Sequence, residues 1–462
     1  MKKRTRKKKS GDQKIAPMAT GLPPWPEHTR TNFLLLALFG IFLFRTVFLH
    51  PGQLMWANDI IRFTLAGRYA EWRSIWEMGS APFWDPTIFS GMATVGDQAR
   101  GITNPLTWLH WLLPAPALFG PFACLVTIFG AWGMFLFVRE RGSNTLGAFF
   151  AAAAFAMSAK TAGHLFAGHL FLVSTVLGLP WMLYGVERVI KRKDHGSTVI
   201  MALLFALAAL QGAVQMFYWN VLFILAYGLI RLLCDRDDEE VNVRATLVRL
   251  AGGSTIGALL CAPWWLPVIR QTLLLGARTQ DKTYDFAAMA SAQASDLLRH
   301  LWPFAGVPTP QPFLHDAQLG FFWETASYPG VVTIVLAIIC LATNYKKRAL
   351  IAFGVLGFVV LLVGLGPNTP LHKAAYYLVP GFSLFRAPAR LFFYSNFVLA
   401  LLAGIAIGQE KTSKQAGWLF GGVFVGLQLL LFATLGLNSS VLTPEQGLWI
   451  PLILVAGLAI AA

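Results

Sequence analysis

FLLLALFGIFLFRTVFL, residues 33–49, gives way at once to HPGQLMWANDII, residues 50–61, and the change between them decides the fold. Wound as a helix, the first run reaches across most of the roughly 30 Å hydrocarbon layer of a bilayer. The second is too polar to enter that layer. Comparable apolar runs recur near 116–138, 145–160, 170–187, 197–214, 217–233, 250–268, 328–343, 349–365, 391–408, 416–437 and 448–462. In lipid every backbone amide must bond within its own segment, which selects helices, so the pattern predicts an all-α polytopic protein of about 11–12 spans.

Composition agrees, since of 462 residues 56% are hydrophobic and only 13% charged, too few charges to cover a soluble protein of this length. The net charge of +15 is placed systematically. MKKRTRKKK at the N-terminus, Arg139 and Arg141, Arg188 to Lys193, Arg231 to Arg249, Lys346 to Arg348, and Lys411 with Lys414 fall in alternate connections. Because Lys and Arg collect in cytoplasmic loops, the N-terminus is expected inside and the long loops 50–115, 269–327 and 366–390 outside. The charge thus reports orientation and attraction to anionic lipid heads, and the absence of a basic stripe argues against nucleic acid. Residues 1–32 read as a disordered basic tail and 33–462 as one transmembrane domain, whose abrupt end at Ala462 leads us to expect that the chain continues. The four cysteines, Cys124, Cys234, Cys261 and Cys340, sit in or at the ends of apolar runs and form neither a disulfide framework nor a CxxC site.

The first outer loop carries the strongest functional signal. Asp59 lies about ten residues past the first apolar run, at the expected lipid–water boundary, where a base can meet a lipid-linked substrate. Asp is also a favoured helix cap, and the two roles are compatible. After it, Ile61, Leu65, Tyr69, Trp72 and Trp76 recur at helical spacing among Arg62, Arg68, Glu71, Arg73 and Glu77, which predicts an interfacial amphipathic helix over 61–78. FWDPTIFSGMATVGDQ, 83–98, is rich in turn residues and brings Asp97 and Gln98 to a backbone bend.

KTAGHLFAGH, 160–169, reads as a short outer connection with His164 and His169. Five apart, they do not share a helix face as an i, i+4 metal pair would, so hydrogen-bonded interfacial histidines and no metal are expected, with His169 a candidate substrate contact. Glu187 reads as an interfacial ion pair with Arg188. Glu324, in FFWETASYPG just before the eighth run, falls at the outer surface. Arg386 and Arg390 flank Pro388, a residue suited to the first turn of a helix, so both guanidinia are expected at an outward helix N-terminus that favours an anion. Snorkelling to lipid phosphates is the plainer reading of the same arginines.

Asp59, FWDPTIFSG with Gln98 and NPLTW, LPWMLYGVER, WETASYPG and PGFSLFRAPAR together resemble, in order, the bacterial YfhO-like membrane proteins of the GT-C glycosyltransferase superfamily. The segment between Gly91 and Gln98 departs from that pattern in lacking a proline. The resemblance implies a GT-C-like fold with interfacial helices in large extracytoplasmic loops, in a bacterial cytoplasmic membrane. It implies inverting transfer from a polyprenyl-phosphate-linked sugar to a cell-surface glycan or lipid, without an organic cofactor and with Asp59 as base. Arg386, Arg390, Glu324, Asp97, Gln98 and His169 are the expected substrate contacts. A lipid or polysaccharide transporter and a non-enzymatic envelope scaffold are the rival readings.

Overall fold

The computed structural model describes residues 28–50, 60, 64–88, 90–97, 100–112, 118–234, 243–275, 283–302 and 322–409. Asp59, Gln98 and the expected spans 416–437 and 448–462 lie outside these residues. In chain order, α1 (Thr29–Leu43) is followed after Phe44 by α2 (Arg45–Leu49), and the first long loop then forms α3 (Leu65–Trp76) and an antiparallel ribbon of β1 (Trp84–Asp85) with β2 (Met92–Ala93). There follow α4 (Phe119–Glu140), α5 (Thr145–Ala156), α6 (Ala159–Ala167), α7 (Leu170–Leu177), α8 (Leu179–Arg192), α9 (His195–Ala209), α10 (Val214–Cys234), α11 (Val243–Leu260) and α12 (Ala262–Leu275). The last group is α13 (Tyr284–Ala288), α14 (Phe322–Thr325), α15 (Val331–Thr343), α16 (Arg348–Gly364), α17 (Pro370–Leu378) and α18 (Phe392–Gly408), entered through a 3₁₀ turn at Pro388–Leu391.

Helix starts follow local chemistry. Asn144, Ser158, Asp194 and Thr283 each cap the helix behind them with a side-chain oxygen that accepts a first-turn amide. Among the described residues, five stretches are long and apolar enough to cross a membrane: Phe119–Glu140, Thr145–Ala167, Leu170–Arg192, Val214–Cys234 and Pro388–Gly408. A sixth arises if α11 and the first part of α12, bent by 67° where they meet, count as one broken span. Thr29–Leu43, His195–Ala209, Val331–Thr343 and Arg348–Gly364 are apolar but shorter. At 13–17 residues these four rise about 20–26 Å, so they stand at expected spans and reach most of the way across.

One expected boundary is corrected. Residues 159–167 are not an outer connection: α6 continues the apolar helix after a break at Met157 and Ser158, and the connection shrinks to Gly168, whose left-handed backbone (φ 91°) turns the chain into His169. Ala, Leu and Phe at helical spacing outweigh the polar Lys160 and His164, which are both buried.

Helix α4 packs against α5, α7 and α8, and α18 against α5, α15 and α16. Phe397 of α18 meets the rings of Phe137, Phe155 and Phe223 within 5.2–5.7 Å. Leu34, Leu38, Phe42, Leu229, Leu233, Val355 and Phe358 are exposed, as side chains facing lipid would be. Because lipid is as apolar as these side chains, close packing has to hold the helices together. The backbones of α5 and α18 approach closely: a Cβ on Gly147 would lie 2.2 Å from the Gly404 oxygen, and one on Gly404 would lie 2.6 Å from the Gly147 oxygen. Gly147→Val is therefore expected to destabilise the protein by about 1–3 kcal/mol through forced separation of the helices. Gly228→Ala, in open space on α10, should cost nothing. Thermal unfolding in detergent compares them, and equal melting temperatures would remove the close-packing argument.

Candidate functional site at the Arg390 end of the bundle

The N-terminal end of α18 meets α6, α10 and α14 in a buried polar cluster. Arg390 grips Glu324 with Nε at 2.9 and 3.0 Å from the two carboxylate oxygens and Nη2 at 2.6 Å from Oε1. Its Nη1 donates to Gln215 Oε1 at 3.0 Å, and Gln215 in turn donates to the Arg386 carbonyl. Lys160, fully buried, donates to the main-chain oxygens of Glu324 and of Trp323 (3.3 Å), with Phe392 and Phe393 rings 5.8 and 5.5 Å from Nζ. His164 and His169 face each other through Nδ1 atoms 2.8 Å apart, and His164 Nε2 points at Glu324 Oε2 from 3.6 Å.

Burial alone would raise the Glu324 carboxyl, but the Arg390 charge and hydrogen bonds, with Lys160 and His169 adding to them, hold it below its ordinary value. Glu324 is therefore a carboxylate at neutral pH. His164, His169 and Glu324 bring ligand atoms within 4.8 Å of one another, near enough to share a cation. The same carboxylate already carries the Arg390 fork, so a cation would have to compete with a guanidinium. As it stands the group is a hydrogen-bond chain in which Arg390 and Glu324 form the ion pair.

The structure thus brings three of the expected contacts, Glu324, His169 and Arg390, into one site, and it separates the two arginines. Arg390 is neutralised by Glu324, whereas Arg386 is exposed and its Nη1 meets the Met289 sulfur at 3.3 Å. Pro388 does open the helix, with Ala387 in the left-handed region (φ 59°) before it. Lys160 and Gln215 escaped the sequence reading. A lysine inside an apolar run at the expected outer end, where no positive-inside bias explains it, was the available signal for the first.

Asp97 belongs elsewhere. In the first loop Arg68 binds Glu71 at 2.5 Å, Arg100 binds Asp85, and Asp97 lies 3.8 Å from Arg100 Nε. Trp111 Nε1 adds a hydrogen bond to Glu71 at 3.0 Å. Burial pushes the Glu71 carboxyl up against the lowering pull of Arg68, while hydrogen bonds from Thr87 and Arg100 outweigh burial and hold Asp85 down. The amphipathic helix accordingly lies with its polarity turned round: Arg68, Glu71 and Ser74 face the protein, and Tyr69, Arg73 and Trp76 are exposed. Gln271 of α12 ties down the bend by donating to the carbonyls of Ala93 (3.3 Å) and Val95 (2.6 Å).

His110 sits beneath this network against Phe119 and Phe122, and neither ring nitrogen has a partner among the described residues. Burial, with the Arg68 charge adding to it, lowers its pKa to about 3 from 6.5. Burial and the Lys160 charge lower His300 to about 4. Both are neutral when folded and protonate when unfolded as pH drops below 6.5, so stability is full above that value and declines toward pH 4. Melting temperature should fall between pH 7.5 and 5, and His110→Phe should flatten the decline. An unchanged slope in that variant would assign the acid loss to other groups.

No family model matches the chain, and no curated protein matches it. The functional reading rests on the residues themselves.

Another expected pair is corrected at the opposite end of the bundle. Glu187 is buried and binds Arg231 at 2.7 Å, Arg141 at 3.5 Å and the Tyr227 hydroxyl, while Arg188 donates to the Tyr184 hydroxyl at 3.1 Å. On a helix, residue 188 points about 100° away from residue 187, so neighbours in sequence do not face each other.

Proposed function

We propose that the chain is an integral-membrane inverting glycosyltransferase of the GT-C type, with eleven or twelve spans. It moves a sugar from a polyprenyl-phosphate donor to a cell-envelope glycan or lipid on the extracytoplasmic side. One observation carries the reading: an open guanidinium, Arg386, stands at the N-terminal end of a 21-residue apolar helix, beside the buried polar cluster of Arg390, Glu324 and Lys160. The basic connections gather at that helix's other end.

In this reading the acceptor hydroxyl attacks the anomeric carbon on the face opposite the phosphate as the sugar–phosphate bond breaks. Asp59 takes the hydroxyl proton, and the polyprenyl phosphate leaves with the bonding electrons. Arg386 holds that phosphate through a bidentate fork, and Arg390 with Glu324 fixes the helix end that presents it.

Binding of undecaprenyl phosphate to the purified full chain tests the assignment. Arg386→Ala should weaken it most and Arg386→Lys partially, because Lys keeps the charge but loses the fork. Equal affinity for Arg, Lys and Ala would mean lipid snorkelling and would end the phosphate-site reading.

A lipid or polysaccharide transporter is the second reading, favoured by the 67° break between α11 and α12, since broken helices recur at transport sites. It predicts movement of the lipid-linked sugar across the membrane without a new glycosidic bond.

A further inference from the structure

Helix α3 sets Tyr69, Trp72 and Trp76 three and four residues apart, so the rings share one side of it, opposite the buried Arg68, Glu71 and Ser74. The 3₁₀ helix Thr107–Trp111 packs beside α3 and sets Trp108 over Trp111, because residues i and i+3 eclipse at three residues per turn. The Tyr69 and Trp72 rings stack 6.2 Å apart and 14° from parallel, and those of Trp108 and Trp111 5.8 Å apart and 21° from parallel. Trp76, 60% exposed, joins the two files by donating its Nε1 hydrogen to the Trp111 carbonyl at 2.6 Å. We propose that this platform is a binding site for a glycan, whose pyranose rings stack on the exposed aromatic faces.

A lipid surface is the rival occupant, and Leu109 and Leu112, exposed on the same turn, would suit it. Two features favour the sugar. Indoles that anchor a protein at the bilayer interface keep the N–H toward the wet headgroups. Here Trp76, Trp108 and Trp111 direct theirs into the protein, onto the Trp111 carbonyl, the Ile102 carbonyl at 2.9 Å and the Glu71 carboxylate at 3.0 Å. The rings are thereby fixed before a ligand arrives, and what Trp76 and Trp108 turn outward is ring surface.

The second feature is an ion pair among the rings. Arg73 follows Tyr69 by one helical turn, on the same side of α3, and binds Glu77 at 2.6 Å with both side chains exposed. Hydrocarbon would penalise those charges. A sugar would use them, since a guanidinium donates to hydroxyl oxygens and a carboxylate accepts from hydroxyl hydrogens. A hexopyranose has the matching division of surface, with C–H bonds on its flat face and hydroxyls around its rim. Its C–H hydrogens meet the electron-rich faces of the indoles, and the two files of rings offer places for successive sugars of a chain.

This narrows the acceptor of the transfer reading to a glycan, and it rests on that reading only for the acceptor role. Binding needs no donor, so the two can fail separately. Glycan binding without transfer would remove the enzyme and keep the platform, and transfer without binding here would do the reverse.

The test is calorimetric titration of the purified full chain with cellohexaose, chitohexaose and maltohexaose. Saturable binding of at least one is expected, weakened roughly tenfold in Trp76→Ala and in Trp108→Ala. Trp108→Phe, which keeps a ring, should bind nearly as the parent does. Should an alanine variant at either indole not fold, Tyr69→Ala, which removes an exposed ring that anchors nothing through an indole N–H, should still weaken binding about fivefold. In vesicles of phosphatidylcholine brominated on its acyl chains, Trp76→Phe/Trp108→Phe should not lower the quenched share of tryptophan fluorescence. A lower share would seat these rings in lipid and overturn the proposal. So would the absence of saturable binding by all three glycans, or unchanged affinity in the ring-removing variants.

Discussion

Glu324→Gln is expected to lower the unfolding free energy by about 3 kcal/mol, because it leaves the Arg390 guanidinium largely buried with no anion beside it. The carboxylate is held below its ordinary pKa, so its contribution is present above the unfolded carboxyl range and lost as pH falls through the folded value. Neutral pH therefore measures the whole effect. Arg390→Gln alone should cost a similar amount by stranding Glu324, whereas the double variant removes both charges and leaves two amides of suitable length. Its loss should be smaller than the sum of the two by about 1–3 kcal/mol. Thermal or denaturant unfolding of the four proteins closes the cycle. Strict additivity would mean that the fork contributes no coupling and that the helix end is held by packing.

On the proposed transfer reaction with Asp59 as base, Asp59→Asn should reduce sugar transfer by a factor of about 10² to 10⁴ while melting temperature and helix content stay as they are, since Asn keeps the size and loses the proton acceptor. Should the Asn variant transfer sugar normally, the other acids are not equal replacements. Asp85 is engaged by Thr87 and Arg100, and Glu324 by Arg390. Asp97, whose side chain is 22% exposed and 3.8 Å from Arg100, is the next to test.

Apolar runs mark where helices lie because their spacing is local, and each of the first ten expected spans has a helix at its place. What they do not report is who faces whom. The sequence presents Glu187 beside Arg188, yet its partner is Arg231, 44 residues on and brought over by the packing of α10 on α8. The aromatic stripe of α3 read as the buried or lipid-facing side, and the charges as solvated. Arg100 and Asp85, further along the loop, reverse that by giving Arg68 and Glu71 a polar interior to face.

The candidate site shows the same limit. Glu324, His169 and Arg390 were visible singly as polar residues at an expected outer surface, but their union depends on α14 settling on α6 and on the start of α18. A spacing of five between His164 and His169 argues against a shared helix face only while the helix continues. Gly168 ends it, and the two rings meet.

That meeting also fixes where protons stand. Two Nδ1 atoms at 2.8 Å bond only if one carries hydrogen and the other does not. If His164 were the donor through Nδ1, its Nε2 lone pair would confront the Glu324 carboxylate. With His169 as donor, His164 bears its hydrogen on Nε2, directed at that carboxylate. The pair therefore has a built-in polarity, running from His169 toward Glu324. Reversing it would require both rings to exchange tautomers together.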